Sequence, residues 1–580
     1  MTGPMFRKVD WELESIISHL DHGTIALPDL QRPFVWKASK VRDLLDSMFR
    51  GFPIGYLMLW AAPDDARQRS VGSGDGRAST LVIDGQQRLT SLYSVMRNKP
   101  VMNSRFQEVK IEIAFNPLDG AFEVCSAAHR KDPRWISSIG LLFANGESMM
   151  RIARDYFKKL ETRVQLTDEE RERVERNIES LMGLKKYPLQ SIEISAGTDE
   201  EDIAEIFVRV NSQGQNLKES DFVLTLVSVH SNEDRHRIEA FCKDCEYYTA
   251  ARTGPFNHVF HPNPSHLVRV AVGLGFRRAA LRYGYLMLRG KDLETGVVSD
   301  ETREEQFAKF RVALNAALDL SHWHEFLHAV QSAGFASQST VSSPLALAFV
   351  YTLFLIGRCD FKVPPRDLRR AIARWTFMSL VSRRYSYSPE STFGTDLLGL
   401  RGKSRPEEFL EFIEANISRS LSSDFWSIDI VSDLLSSQGY GSTWNAYWAA
   451  LILLEAKALF SNLKVSQLSD PTAVSTRASL EKHHLFPKKY LERIGVSLDR
   501  ERNQTANFAL VEWGDNTSIS DSAPAEYFPK LIEGRTEDEL RMMHEWHALP
   551  EGWHTMPFDE FVKQRRVLMS GVIRRGFESI

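Results

Sequence analysis

TLVI at 80–83 is a β-branched run that leads without a break into DGQQR and then LTSLYSVMR, whose apolar residues recur at helical spacing. Strand, tight turn, helix is the local reading, which makes the N-terminal region α+β. Further strands read from alternation: IGYLMLW after Pro53, VKIEIAF at 109–115 with AFEVC at 121–125 as its hairpin partner, and SIEIS at 191–195. DWELESIISHL at 10–20 and residues 39–50 read as helices, the second with Ser39 as N-cap. The charged stretch 150–184 reads as helices with a solvated face, and DEEDIAEIFVRVNSQG as an acid-started helix ending near Gly214. From about 220 to 460 helix follows helix. Leu345 to Ile356 is a 12-residue apolar run, enough for a buried helix and too short to cross a bilayer.

A chain of 580 residues exceeds what one hydrophobic core supports. The expected fold is multidomain α+β, mostly helical, with units at 1–240, 241–440 and 441–580. The formal charge is −4, with 72 basic and 76 acidic residues, so phosphate contacts have to come from local patches. Four cysteines make no disulfide framework and fit a reducing cytosol. Cys242 and Cys245 form a lone C-x-x-C, read as helix-face residues rather than a zinc site. MTGPMFRKVDWELES has no apolar h-region, so a cytoplasmic protein with no membrane partner is expected.

Two segments carry chemistry. In DGQQR, Asp84 can cap the helix, Gly85 permits the tight turn, and the first N–H groups of the helix make an anion site. Gln86 and Gln87 can donate hydrogen bonds and Arg88 can clamp phosphate oxygens. An ordinary capped turn is the plainer alternative. QRPFVW adds Gln31 and Arg32, and EIFVRVNSQG adds Arg209 and Asn211, which either meet a ligand or fix the fold. No P-loop pattern occurs in the chain.

The second segment is EKHHLFPKKYL at 481–491, followed by RNQTANFALVEWGDN. H-H-x-x-P, then an asparagine in NFALV, then another asparagine nine residues on, resembles the HNH nuclease motif, a hairpin and helix around one divalent cation (Mg2+ or Mn2+). The resemblance implies that His483 ligates the metal and His484 activates water. It further implies that Asn507 orients His484 through the backbone and that Asn516 is the second metal ligand. Asn503 is a second candidate for the orienting amide. A polar hairpin with two surface histidines is the alternative. H-x-x-H at His544 and His547, with His554, reads as packing rather than as a metal site. Arg366, Arg370 and Arg374 fall on one helical face, followed by Arg383 and Arg384 beside Tyr385 and Tyr387. They form either a solvated face or a track for a nucleic-acid backbone.

Together these segments resemble the GmrSD family of type IV, modification-dependent restriction endonucleases, over roughly 10–240 and 440–580. Ala506 stands where that family has glycine, and FALV replaces its L-x-L-L. The resemblance implies a ParB/sulfiredoxin-like domain that binds nucleoside triphosphate at DGQQR and a C-terminal ββα-metal nuclease domain. It also implies NTP-regulated cutting or nicking of modified foreign DNA, typically phage DNA. A nucleotide-dependent DNA-binding regulator without cleavage and an RNA nuclease are the alternatives. Which modification is read, which NTP is used and whether the protein is a homo-oligomer stay open.

Overall fold

A computed structural model describes residues 6–26, 36–61, 80–103, 107–144, 148–161, 165–195, 230–248, 253–436, 441–472, 480–512 and 521–580. It also describes residues 146, 198, 206, 223–224, 226–227 and 519. The chain is multidomain α+β, mostly helical. It divides into two compact units, Met1–His236 and Arg237–Ile580, so residues 241–440 and 441–580 share one of them. No described helix is long and apolar enough to cross a membrane.

The first unit is built on a five-stranded mixed sheet. Its strands are β1 (Phe6–Glu12), β2 (Ile25–Ala26), β3 (Leu57–Ala61), β4 (Thr80–Asp84) and, after two small hairpins, β9 (Pro188–Ile194). The order is β1-β9-β3-β4-β2. β1 pairs antiparallel with β9 and β4 with β3, while β3–β9 and β2–β4 are parallel. Helices α1 (Leu13–Asp21), α2 (Ala38–Phe49) and α3 (Gln86–Arg97) supply Leu13, Ile17, Val41, Leu45, Leu89 and Met96 to one core with Leu57, Leu59 and Val82 of the sheet.

Three local expectations change. Residues 10–12 are the end of β1 and not the start of a helix. β1 is an edge strand whose charged residues face water, and its register is held by Arg7 on Glu193 at 2.7 Å and Trp11 Nε1 donating to Ser191 Oγ at 3.0 Å. The helix expected at 39–50 starts at Ala38, with Lys37 and not Ser39 at its cap. The strand expected at 109–115 is broken. β6 (Glu108–Val109) pairs with β5 (Val101–Met102), and β7 (Ile113–Asn116) forms the hairpin with β8 (Ala121–Val124). Charged α4 (Met149–Leu160) and α5 (Asp168–Gly183) meet through Ile152, Tyr156, Leu160, Val174 and Ile178 and turn their charges outward.

The second unit stacks helices α6 (Pro264–Phe276), α7 (Asp300–Ala317), α8 (Leu320–Ser332), α9 (Pro344–Leu355), α10 (Pro365–Val381), α11 (Pro406–Ser420) and α12 (Ser442–Leu453). α9 is the long apolar run, with every residue from Ala346 to Leu355 buried. Most of the arginines of α10 and its end bond within the chain, while Arg366 is exposed. Arg374 pairs with Glu414 at 2.7 Å and lies 4.5 Å over the Phe577 ring, Arg370 donates to the Ile580 carbonyl, and Arg384 pairs with Asp396. That favours a folding role for these cations over a nucleic-acid track. Cys242 and Cys245 are buried helix-face thiols, both pushed upward by burial.

Past α12 the chain forms a two-stranded antiparallel hairpin, β10 (Leu480–His484) and β11 (Phe508–Glu512). Between the strands lie two short helices, α13 (Lys488–Arg493) and α14 (Asp499–Arg502). After them come α15 (Pro524–Leu531), α16 (Glu537–Trp546) and the long α17 (Phe558–Glu578), which packs on α12.

Candidate functional sites

In the first unit, β4 runs into α3 through Gly85 at φ 88, a left-handed residue that is itself the N-cap. A Cβ at Gly85 would overlap the Leu57 δ-methyl and press on the Arg88 guanidinium, so the left-handed φ and these packed side chains together demand glycine here. Gly85→Ala is expected to cost about 2–4 kcal/mol, from left-handed strain and overpacking together. Hydrogen exchange across α3 measures it, and unchanged protection would show that the turn tolerates the methyl.

Asp84 does not cap α3. The intervening left-handed Gly85 turns its carboxylate toward Arg88, which it pairs with at 3.2 Å. Arg88 is mostly enclosed. Its guanidinium donates to the carbonyls of Ile54 (2.6 Å) and Tyr56 (2.8 Å), and burial pushes its pKa down while Asp84 pulls it up. Gln86 is buried and donates to the Val82 carbonyl at 2.5 Å, and the carbonyl of half-buried Gln87 accepts from Ser91 Oγ. Asp84, Gly85, Gln86, Gln87 and Arg88 are thus brought together, with their side chains largely occupied in shaping the turn. The donors this turn presents are the first N–H groups of α3, which have no intrahelical carbonyl to meet. Gln31, Arg32, Arg209 and Asn211 lie outside the described residues.

In the second unit, His483 and His484 are adjacent on β10 and point to opposite faces of the hairpin, opposite Ala509 and Phe508. The His484 ring packs on Phe508 with centroids 4.3 Å apart. Its Nε2 meets Asn503 Oδ1 at 3.0 Å. A carboxamide oxygen can only accept, so Nε2 carries the proton and Nδ1 keeps the basic lone pair. Burial is the main cause that lowers the His484 pKa to about 4, with Lys488 and His483 adding to it and the Asn503 bond opposing it. The ring is therefore neutral at pH 7.

Asn507 is fully buried and fixes the turn that follows His484. Its Oδ1 accepts from Phe486 N–H at 2.9 Å, and its Nδ2 donates to the carbonyls of Phe486 and Arg502, each at 3.0 Å. Its own carbonyl accepts from Leu485 N–H at 2.8 Å, and Tyr527 Oη donates to the Leu485 carbonyl at 2.6 Å. The two asparagines that compete for one role in the sequence divide it: Asn503 holds the imidazole and Asn507 holds the backbone beneath it. Asn516 lies outside the described residues.

Two contributors escape the motif. Arg565 of α17 is fully buried and donates to the carbonyls of Ala506 (2.6 Å), Phe508 (2.8 Å) and His547 (3.1 Å), bracketing Asn507. Its signal was there: Phe561, Arg565 and Met569 sit at i, i+4 and i+8 on the apolar stripe of α17. Lys482, two residues before His484, holds its ammonium 5.2 Å over the Trp444 ring, and burial lowers its pKa to about 8. The histidines downstream are packing groups. His547 Nε2–H donates to the Lys457 carbonyl and His544 Nδ1–H to that of Leu549. Among the described residues no cluster of three His, Cys, Asp or Glu could hold a metal.

Residues 13–228 match the GmrSD restriction endonuclease N-terminal domain family. Over these residues the chain is similar to the N-terminal domain of GmrSD restriction endonucleases. It is also 23% identical over 585 aligned positions to an uncharacterized protein of Methanocaldococcus jannaschii, covering 91% of this chain and 88% of that one.

Proposed function

We propose that this chain is a nucleotide-regulated, divalent-metal-dependent DNA endonuclease of the HNH (ββα-metal) type that restricts modified foreign DNA. The observation that carries the reading is the β10–β11 hairpin. It fixes a neutral imidazole, His484, in its Nε2–H tautomer and braces the turn beside it with the buried amide of Asn507.

His484 Nδ1 takes the proton of an attacking water, and the Asn503 bond keeps that nitrogen unprotonated beforehand. Asn507 holds the 485–487 backbone so that the ring keeps its direction. On the other face of β10, His483 would hold the cation with Asn516 as the second protein ligand. One imidazole and one amide oxygen leave most positions to water and phosphate oxygens, as magnesium prefers. When bound, the cation polarises the scissile phosphate and stabilises the leaving oxygen.

At the N-terminal unit, the start of α3 and its glycine turn would seat the phosphates of a nucleoside triphosphate in a ParB/sulfiredoxin-like domain. Gln31, Arg32, Arg209 and Asn211 would complete the site, with Arg88 and Gln86 holding the turn in shape. Coupling cleavage to nucleotide and to a DNA mark limits damage to the host's own DNA.

Plasmid nicking in Mg2+ or Mn2+, with EDTA controls and each NTP, is the test. The expected result is cutting that EDTA stops and that one NTP changes severalfold. Binding of DNA with no cutting in any metal would leave a regulator rather than a nuclease. Equal cutting with and without every NTP would remove the gating.

A further inference from the structure

We infer that the cavity lined by the starts of α9 and α12 receives a single nucleobase, displaced from the DNA that the hairpin holds. The inference rests on the nuclease reading only for the source of that base.

The cavity measures about 520 Å³, within the range of about 300–1,000 Å³ in which small ligands are held. Its wall carries six hydroxyls, those of Ser342, Ser343, Ser379, Ser386, Ser436 and Ser442. A serine hydroxyl has one donor and two acceptor sites, and the fold uses only some of them. Ser442, the first residue of α12, is 7% exposed. Its Oγ accepts from Arg383 Nε at 2.8 Å, while its O–H meets no acceptor among the described residues. Ser343 Oγ accepts from the Ala346 N–H at 3.2 Å, and its O–H is likewise unspent among them. Ser379, 1% exposed, donates to the Thr376 carbonyl at 3.0 Å and keeps its lone pairs. Buried polar groups left unmatched cost free energy, so this wall favours a ligand that carries both donors and acceptors.

The charge of the wall disfavours an ion. Arg383 pairs with Asp433 at 2.6 Å, and both residues line the cavity. A bare phosphate would meet the Asp433 carboxylate, and a cation the Arg383 guanidinium. A base is neutral and presents donors and acceptors along one edge. Ala346, Leu380 and the buried ring of Tyr385 supply apolar surface for its faces.

Two connections tie the cavity to the hairpin. Thr505 donates to the Ser436 carbonyl through its N–H at 3.0 Å and its Oγ1 at 3.1 Å, and it stands between Asn503 and Asn507 in the chain. Trp444, two residues past Ser442, meets Phe508 edge-on with centroids 6.1 Å apart, and Phe508 carries the His484 ring. DNA seated at His484 thus shares a short framework with the cavity, which makes a displaced base and not a free one the occupant.

The test measures binding without cleavage, on the full chain in EDTA. Duplex oligonucleotides carry one 2-aminopurine, either paired with thymine or opposite a mismatched base. Adenosine, guanosine, cytidine and thymidine are followed separately by equilibrium dialysis. A mismatched base costs less to unstack, so the wild type should bind the mismatched duplex about 10-fold more tightly and raise its 2-aminopurine fluorescence. Ser386→Trp, which fills the cavity from an exposed position, should bring the ratio of the two affinities to about 1. Ser442→Ala, which removes one buried hydroxyl, should reduce that ratio severalfold. Nucleoside binding that Ser386→Trp abolishes, with equal affinity for the two duplexes, would keep the nucleobase and make a free nucleotide its source. A wild type with neither signal, or a folded Ser386→Trp protein that keeps the mismatch preference, would overturn the inference. A chain that shows the preference yet cuts no DNA in Mg2+ or Mn2+ would remove the nuclease reading and leave the cavity its base.

Discussion

His484→Ala is expected to reduce metal-dependent cutting by about 100- to 10,000-fold, the range in which a positioned general base acts. The loss should fall on kcat, because in the proposed mechanism the imidazole meets the attacking water and not the bulk of the substrate. DNA affinity, carried by phosphate contacts, should change little. Removing the ring also uncovers Phe508 and frees the Asn503 carbonyl oxygen, so stability drops by about 1–2 kcal/mol. The variant stays folded because Asn507, Tyr527 and Arg565 hold the surrounding backbone without the imidazole. A single-turnover assay with excess enzyme isolates the chemical step, and circular dichroism checks the fold. Cutting within threefold of wild type by a folded His484→Ala protein would mean that another group activates the water. Asn503→Ala makes a graded companion: the ring keeps its place on Phe508 but loses the partner that fixes its tautomer, so its loss should be the smaller of the two.

What could be read beforehand divides along physical lines. β4, the Gly85 turn and α3 were legible because a β-branched run, a glycine and a helical repeat are local signals. α9 was legible because ten consecutive buried positions leave no other reading of an apolar run. β1 was not legible. It flows into α1 with no turn residue between them, and its partner β9 lies some 180 positions away in sequence, so only the tertiary pairing of Trp11 with Ser191 reveals a strand. Smaller separations hide the partners of the arginines on and just after α10: Glu414, 40 positions from Arg374, and Asp396, 12 from Arg384, are side chains no spacing rule connects to them. At the hairpin, residue types narrowed the chemistry to two histidines and a few amides. They could not assign Asn503 to the ring and Asn507 to the backbone, because that division depends on the 3.0 Å geometry of a folded turn. The DGQQR side chains mislead in the other direction. Arg88 and Asp84 suit a ligand by type, yet much of their bonding is to each other and to the 54–56 loop, whose closeness is legible only in the pair of glycines, Gly55 and Gly85, that Arg88 abuts.

Arg565→Met is expected to destabilise the second unit by about 3–5 kcal/mol, among the largest effects of any single change here. The guanidinium is buried, and its cost of desolvation is offset by the carbonyls of Ala506, Phe508 and His547. Methionine fills much of the same volume but leaves those three acceptors in a core with no donor. Lysine cannot replace it, since one compact ammonium does not reach both sides of the Asn507 turn. Arg565→Lys should therefore recover less than half of the loss. Urea unfolding followed by tryptophan fluorescence is a suitable readout, because Trp553 and Trp444 are both fully buried in this unit. A loss below about 1 kcal/mol would show that water reaches the three carbonyls once the guanidinium is gone. Asn507→Ala should cost a similar amount, by leaving the Phe486 N–H and two carbonyls unpaired. Both residues hold the same short segment, Asn507 through its side chain and Arg565 through the carbonyls on either side of it. Their double variant should consequently lose less than the sum of the two. That shortfall measures the coupling by which a helix 60 residues further along the chain fixes the direction of His484, and additive losses would mean that the two clamps act on separate parts of the fold.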